Sequence, residues 1–131
     1  KSGIRRGDNM KKKQVFKKVA THLLKQNVAS TDESGNQCMY KNGRGMFCAV
    51  GVLIDYEYYS WDLESNPADS VAVVRALEKS LGSKITRKDT DLLICLQNIH
   101  DYASVDSWYE ELEDLAVLTF SKTLEDLGVE A

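Results

Sequence analysis

Asn66-Pro67-Ala68-Asp69-Ser70-Val71-Ala72-Val73-Val74-Arg75-Ala76-Leu77-Glu78-Lys79-Ser80-Leu81-Gly82 is the stretch on which the fold class turns. Proline has a fixed φ and no N–H, which suits a first helical position, and asparagine is a good N-cap before it. Val71, Val74, Leu77 and Leu81 then recur at steps of three and four, and Gly82 supplies a left-handed stop. The pattern predicts a helix over 67–81.

The same grammar extends in both directions. Thr86-Arg87-Lys88-Asp89 reads as a capping box with Asp in the usual Glu place, opening a helix with Leu92, Leu96, Ile99 and Ala103 on one face. Ser107-Trp108-Tyr109-Glu110 reads as a second box, followed by Leu112, Leu115, Leu118 and Leu127, with Gly128 as the stop. Toward the N-terminus, Met10 to Gln26 carries Val15, Phe16, Val19, Ala20, Leu23 and Leu24 opposite Lys11, Lys17, Lys18 and Lys25.

The segment 27–48 breaks the helical period. Lys41-Asn42-Gly43-Arg44-Gly45 lies between Cys38-Met39-Tyr40 and Met46-Phe47, and Asn-Gly between short apolar stretches is a strong hairpin signal. Cys48 to Ile54 reads first as a short buried helix and second as a strand. The expectation is a mainly α, single domain over 10–131, with four to five helices packed on a small β-hairpin. Lys1 to Asn9 reads as a cloning remnant or a disordered tail, since Met10-Lys11-Lys12-Lys13 resembles a native start.

Composition bounds the function. With 131 residues, 43% hydrophobic and 28% charged, the chain is long and apolar enough for one core. The longest apolar run, Ala49 to Ile54, falls far short of the roughly 20 residues of a membrane span. Three cysteines, an odd number in a chain of this size, predict reduced thiols and a cytoplasmic location, although a hairpin could bring Cys38 to Cys48 as a disulfide.

Four segments are candidates for chemistry. Cys48, at the start of a helix, would have an acidified thiol, with His100 as base and Asp101 orienting the ring; successive helix residues point about 100° apart, which weakens Asp101 in that role. Zinc through Cys38, Cys48, Cys95 and His100 has the wrong spacing, so no metal and no cofactor is expected. The turn at Asn42, Gly43, Arg44 and Gly45 could offer backbone N–H groups to a phosphate, but it lacks the Gly-Lys-Ser/Thr ending of a nucleotide loop. Tyr56, Tyr58, Tyr59, Trp61 and Asp62 form an aromatic and acidic cluster of the kind that dominates protein interfaces.

Residues 1–25 hold nine basic and one acidic side chain, whereas 101–131 hold nine acidic and one basic. The basic helix face is a possible nucleic-acid contact, but it lacks interleaved aromatics and base-reading arginines, and the net charge of −3 argues against that use.

Cys38-x-Tyr40, Gly45-Met46-Phe47-Cys48-Ala49-Val50-Gly51-Val52-Leu53-Ile54 and Leu96-Gln97-Asn98-Ile99-His100-Asp101 together resemble a family of short bacteriophage and bacterial proteins without an assigned activity. The resemblance covers about residues 37–108 and implies a phage or mobile-element origin. It suggests an accessory protein that binds a host macromolecule, most simply a protein, in the host cytoplasm without catalysis. A cysteine-dependent hydrolase or transferase and a small-ligand or nucleotide binder are the alternatives. Oligomeric state is not legible in the sequence.

Overall fold

Reciprocal hydrogen bonds cap the third helix as its sequence predicts. Thr86 Oγ1 accepts from the Asp89 amide at 3.2 Å, and Asp89 Oδ2 accepts from the Thr86 amide at 2.8 Å. In the computed structural model, which describes residues 9–130, four α-helices form: α1 Lys12–Gln26, α2 Val71–Leu81, α3 Arg87–Tyr102 and α4 Trp108–Phe120. They build one mainly helical domain in which α4 packs on both α1 and α3. The helix α1 ends on Asn27 in the left-handed conformation (φ 54°), its amide bonded to the Leu23 carbonyl. Of the amino-terminal stretch read as a remnant or tail, residues 1–8 lie outside the described residues. Asn9 pairs with Lys84 as an isolated parallel bridge and so belongs to the fold.

Two helices have boundaries that differ from expectation. Pro67 opens a turn, with the Ser70 amide bonded to the Pro67 carbonyl, and α2 starts at Val71 with Ser70 as its N-cap. Serine can reach the Val73 amide from there at 3.3 Å, a bond that an N-cap at Asn66 would forgo. The buried face of α2 is therefore Val73, Ala76 and Leu77, and Val71 points to solvent. The second discrepancy concerns α4. Ser107 adopts helical dihedrals and makes no capping bond, because a 3₁₀ turn at Val105–Ser107 runs into the helix. At its other end α4 stops at Ser121 (φ 56°), well before Gly128. Thr123 and Asp126 then exchange side-chain and backbone bonds at 3.0 Å each, closing a separate turn that buries Leu124.

No β-hairpin forms among the described residues. Between α1 and α2 there are only single antiparallel bridges, Thr31 with Cys38 and Lys41 with Phe47. The reason lies in Asn42. Its side-chain carbonyl accepts from the amides of Arg44 (2.9 Å) and Met46 (3.0 Å), and its side-chain amide donates to the Thr31 carbonyl (3.0 Å). A side chain that satisfies the backbone in this way replaces the ladder. Positive φ falls on Gly45 (79°) and not on the Gly43 of the Asn-Gly pair, so the two-residue hairpin turn is absent.

Cys48, Ala49 and Val50 are fully buried, and the 3₁₀ turn Gly51–Leu53 follows, which agrees with a short helical segment. Trp108, Phe16, Leu23, Leu53, Ile54, Leu77, Leu93, Leu96 and Leu112 are all inaccessible, each contributing roughly 1.5–3 kcal/mol by burial. No helix among the described residues is long and apolar enough to cross a membrane.

Candidate functional site

The last two turns of α3 carry Gln97, His100 and Asp101, and through Gln97 and His100 they reach Val50 and Ser30. The His100 ring is buried and stacks on Trp108, with centroids 5.6 Å apart at 30°. Its Nε2 lies 2.9 Å from the Ser30 amide nitrogen, and its Nδ1 lies 2.7 Å from Asp101 Oδ1. A backbone N–H can only donate, so Nε2 is the unprotonated nitrogen and Nδ1 carries the proton that Asp101 accepts. Asp101 thus does orient the neighbouring histidine, against the helical-angle objection, because the helix ends one residue later and Asp101 sits on its terminal turn. Gln97 fixes the carboxylate further, donating to Asp101 Oδ1 at 2.8 Å while accepting from the Val50 amide at 3.0 Å.

The thiol that joins this pair is Cys38. Ligand-capable atoms of Cys38, His100 and Asp101 all lie within 4.8 Å of one another. The Cys38 thiol is pushed up to about 12, first by desolvation and then by the Asp101 charge and hydrogen bond. At that value the group is a thiol and not a thiolate. Metal chemistry fits these atoms poorly: a cation on Nδ1 would need the ring proton on Nε2, where the Ser30 N–H already points.

Cys48, the nucleophile suggested by the sequence, is not at this cleft surface. It is fully buried, and the Gly51 amide donates to its sulfur at 3.3 Å. Burial pushes its thiol up to about 12, overriding the acidifying backbone bonds at the start of the turn. All three cysteines are free, so the Cys38–Cys48 disulfide does not form, and Cys95 lies exposed on α3.

The other sequence candidates divide. In the turn at Asn42, Gly43, Arg44 and Gly45, the Arg44 amide is committed to Asn42 Oδ1 and the Gly45 amide to the Asn42 carbonyl. A phosphate would have to displace those bonds. Within the aromatic cluster, Tyr59 turns inward and donates to Glu64 at 2.6 Å, and Tyr58 is half-buried. Tyr56 lies with Phe47 around the Lys41 ammonium, whose Nζ is 4.5 and 4.4 Å from the two ring centroids and donates to the Gly51 carbonyl at 2.8 Å. Desolvation lowers the Lys41 pKa. Asp62 and Trp61 face solvent, Trp61 with 72% of its surface exposed.

Trp61 and Tyr102, the latter 83% exposed, both line a cleft of about 500 Å³ that also holds Cys38, Asp32, Glu64 and Asp101. Glu64 is pinned by the amides of Tyr40 and Lys41, at 2.9 and 3.2 Å, as well as by Tyr59. Asp32 is held by Ser34 and by the amides of Asn36 and Gln37, and these bonds hold its carboxyl below its ordinary range. Tyr102 was not legible in the sequence, because its place in the cleft depends on contacts between α3 and the segment before α2. Cys38 was visible in the zinc set, as a disulfide partner of Cys48 and in the resemblance, but not as a neighbour of His100 and Asp101.

The thiol geometry carries an expected outcome. Asp101→Asn removes the charge that adds to desolvation in keeping Cys38 protonated, so site-resolved alkylation of Cys38 at pH 8 should quicken by about tenfold. An unchanged rate would show that the carboxylate does not control the thiol.

No family model, no curated protein and no solved structure matches this chain.

Proposed function

We propose that this protein is a non-catalytic, phage-type accessory protein that binds a host protein through the cleft between Trp61 and Tyr102. The observation that carries this reading is the pair of exposed aromatics on one cleft whose carboxylates, Asp32, Glu64 and Asp101, are held in place by backbone amides and neighbouring side chains. Exposed tryptophan and tyrosine beside fixed polar groups are the usual energetic centre of a protein interface, since they bury large area with few rotors. The negative lining favours a partner segment bearing lysine or arginine. Of the aromatic cluster read from sequence, Tyr59 is partly buried with its hydroxyl on Glu64 and Tyr56 packs its ring on Lys41, so the proposed surface centres on Trp61.

The hydrolase alternative needs a reachable, ionised Cys48, and its burial and raised pKa remove that support. The nucleotide alternative rests on donors that the Asn42 turn already uses.

The test is quantitative capture from host lysate by the tagged protein. The double variant Trp61→Ala, Tyr102→Ala is expected to lose at least 90% of the captured partner at unchanged helicity, in line with the roughly 2 kcal/mol or more that a hot-spot aromatic contributes. Full retention of the partner would eliminate this cleft as the binding surface.

A further inference from the structure

A second surface lies on the other side of Tyr102, between α3 and α4. It is a groove of about 520 Å³ with Ile99, Ala103 and Leu115 along its floor. Leu118 stands on its rim, 83% exposed, although helical spacing assigns that residue to the core. Glu111 and Asp114 line the same groove, and no basic side chain does. We propose that this groove is a docking site for a basic amphipathic helix of a separate partner chain.

Shape and charge select that occupant. The α3 wall of the groove runs from Cys95 to Ala103, about 12 Å or two helical turns at 1.5 Å per residue. Two turns present two or three apolar anchors at i, i+3 and i+4, which is how an amphipathic helix fills a groove between packed helices. Lysine or arginine flanking those anchors would meet Glu111 and Asp114 on α4.

A second copy of this chain fits less well. A two-fold pairing of grooves would set Glu111 and Asp114 of each copy against those of the other, and like charges at close range oppose association. Nor can α1 of a neighbouring copy supply the basic helix. Its apolar residues Val15, Phe16, Val19, Ala20 and Leu23 are buried in its own core.

The experiment screens the full chain against a displayed library of amphipathic helices with randomised flanking positions. Recovered helices are expected to carry Lys or Arg at the flanks and to weaken as salt rises. Leu118→Glu should reduce their affinity at least tenfold; with Leu118 so exposed, the substitution should leave helicity intact. Trp61→Ala should leave their affinity unchanged, which separates this groove from the cleft proposed above. Recovery of no helix, of helices with acidic or neutral flanks, or of binding that survives Leu118→Glu would overturn the proposal. So would a dimer in sedimentation that dissociates on Leu118→Glu, since the occupant would then be a second copy.

Discussion

Gly51→Ala should melt far below the parent chain. A Cβ at position 51 would overlap the Tyr40 carbonyl oxygen and lie 2.6 Å from its carbon and 2.9 Å from the Tyr40 Cα. These are backbone atoms, so no rotamer change relieves the contact. Moving Tyr40 is no remedy, because its amide is bonded to Glu64, its carbonyl to the Cys48 amide and its hydroxyl to the Asn66 carbonyl. The Gly51 carbonyl also holds the buried Lys41 ammonium. Overpacking of this kind costs about 3 kcal/mol or more, a large part of the 5–15 kcal/mol available to a domain. Thermal melting by circular dichroism should show a fall of roughly 10 °C or more, or no transition at all. Gly43→Ala is the contrast: nothing lies within 4 Å of its added Cβ and its φ is not positive, so it should melt within a few degrees of the parent. Equal melting of the two variants would refute the close approach at Gly51.

The residues that were read correctly are those whose partners lie within one turn of chain. Thr86 and Asp89 are three apart and satisfy each other, so α3 was legible to its first residue. The apolar stripe of α1 is likewise local. Misreadings arise where a side chain competes with a stronger backbone signal. Asn42 reads as half of a hairpin turn, but its amide group bonds three backbone sites and closes a loop instead. Ser70 displaced Asn66 as N-cap because only Ser70 reaches the Val73 amide. Leu118 follows Leu115 at a helical step, yet the terminal turn buries Leu124 instead and leaves Leu118 outside.

The site was half legible for the same reason. His100 and Asp101 are adjacent, and their 2.7 Å contact forms despite the helical angle that weakens such a pair in the sequence. Choosing between Cys38 and Cys48 was not a local question. Both flank the glycine-rich loop, and the choice is made by which one the Tyr40–Cys48 backbone bond draws inward. That bond places Cys48 under the core and leaves Cys38 at the cleft.

His100→Ala is expected to destabilise the fold by about 3–5 kcal/mol, comparable with the loss of a large core side chain. Two effects combine in that figure, and a second substitution divides them. Alanine removes the ring that stacks on the inaccessible Trp108, leaving a cavity, and it leaves the buried Ser30 amide without its acceptor. His100→Phe keeps an aromatic ring against Trp108 but offers no lone pair to Ser30 and no proton to Asp101. An orphaned buried donor costs roughly 1–3 kcal/mol, so His100→Phe should recover the packing part and retain a deficit of that size. Urea denaturation of the three proteins measures both steps. If His100→Phe were as stable as the parent, the histidine would be there for its shape. A retained deficit means that the neutral Nδ1–H tautomer, clamped between Ser30 and Asp101, is what ties the loop after α1 to the end of α3. The same clamp orients the Asp101 carboxylate in the cleft, so His100→Phe should also weaken partner capture while leaving helix binding in the α3–α4 groove untouched.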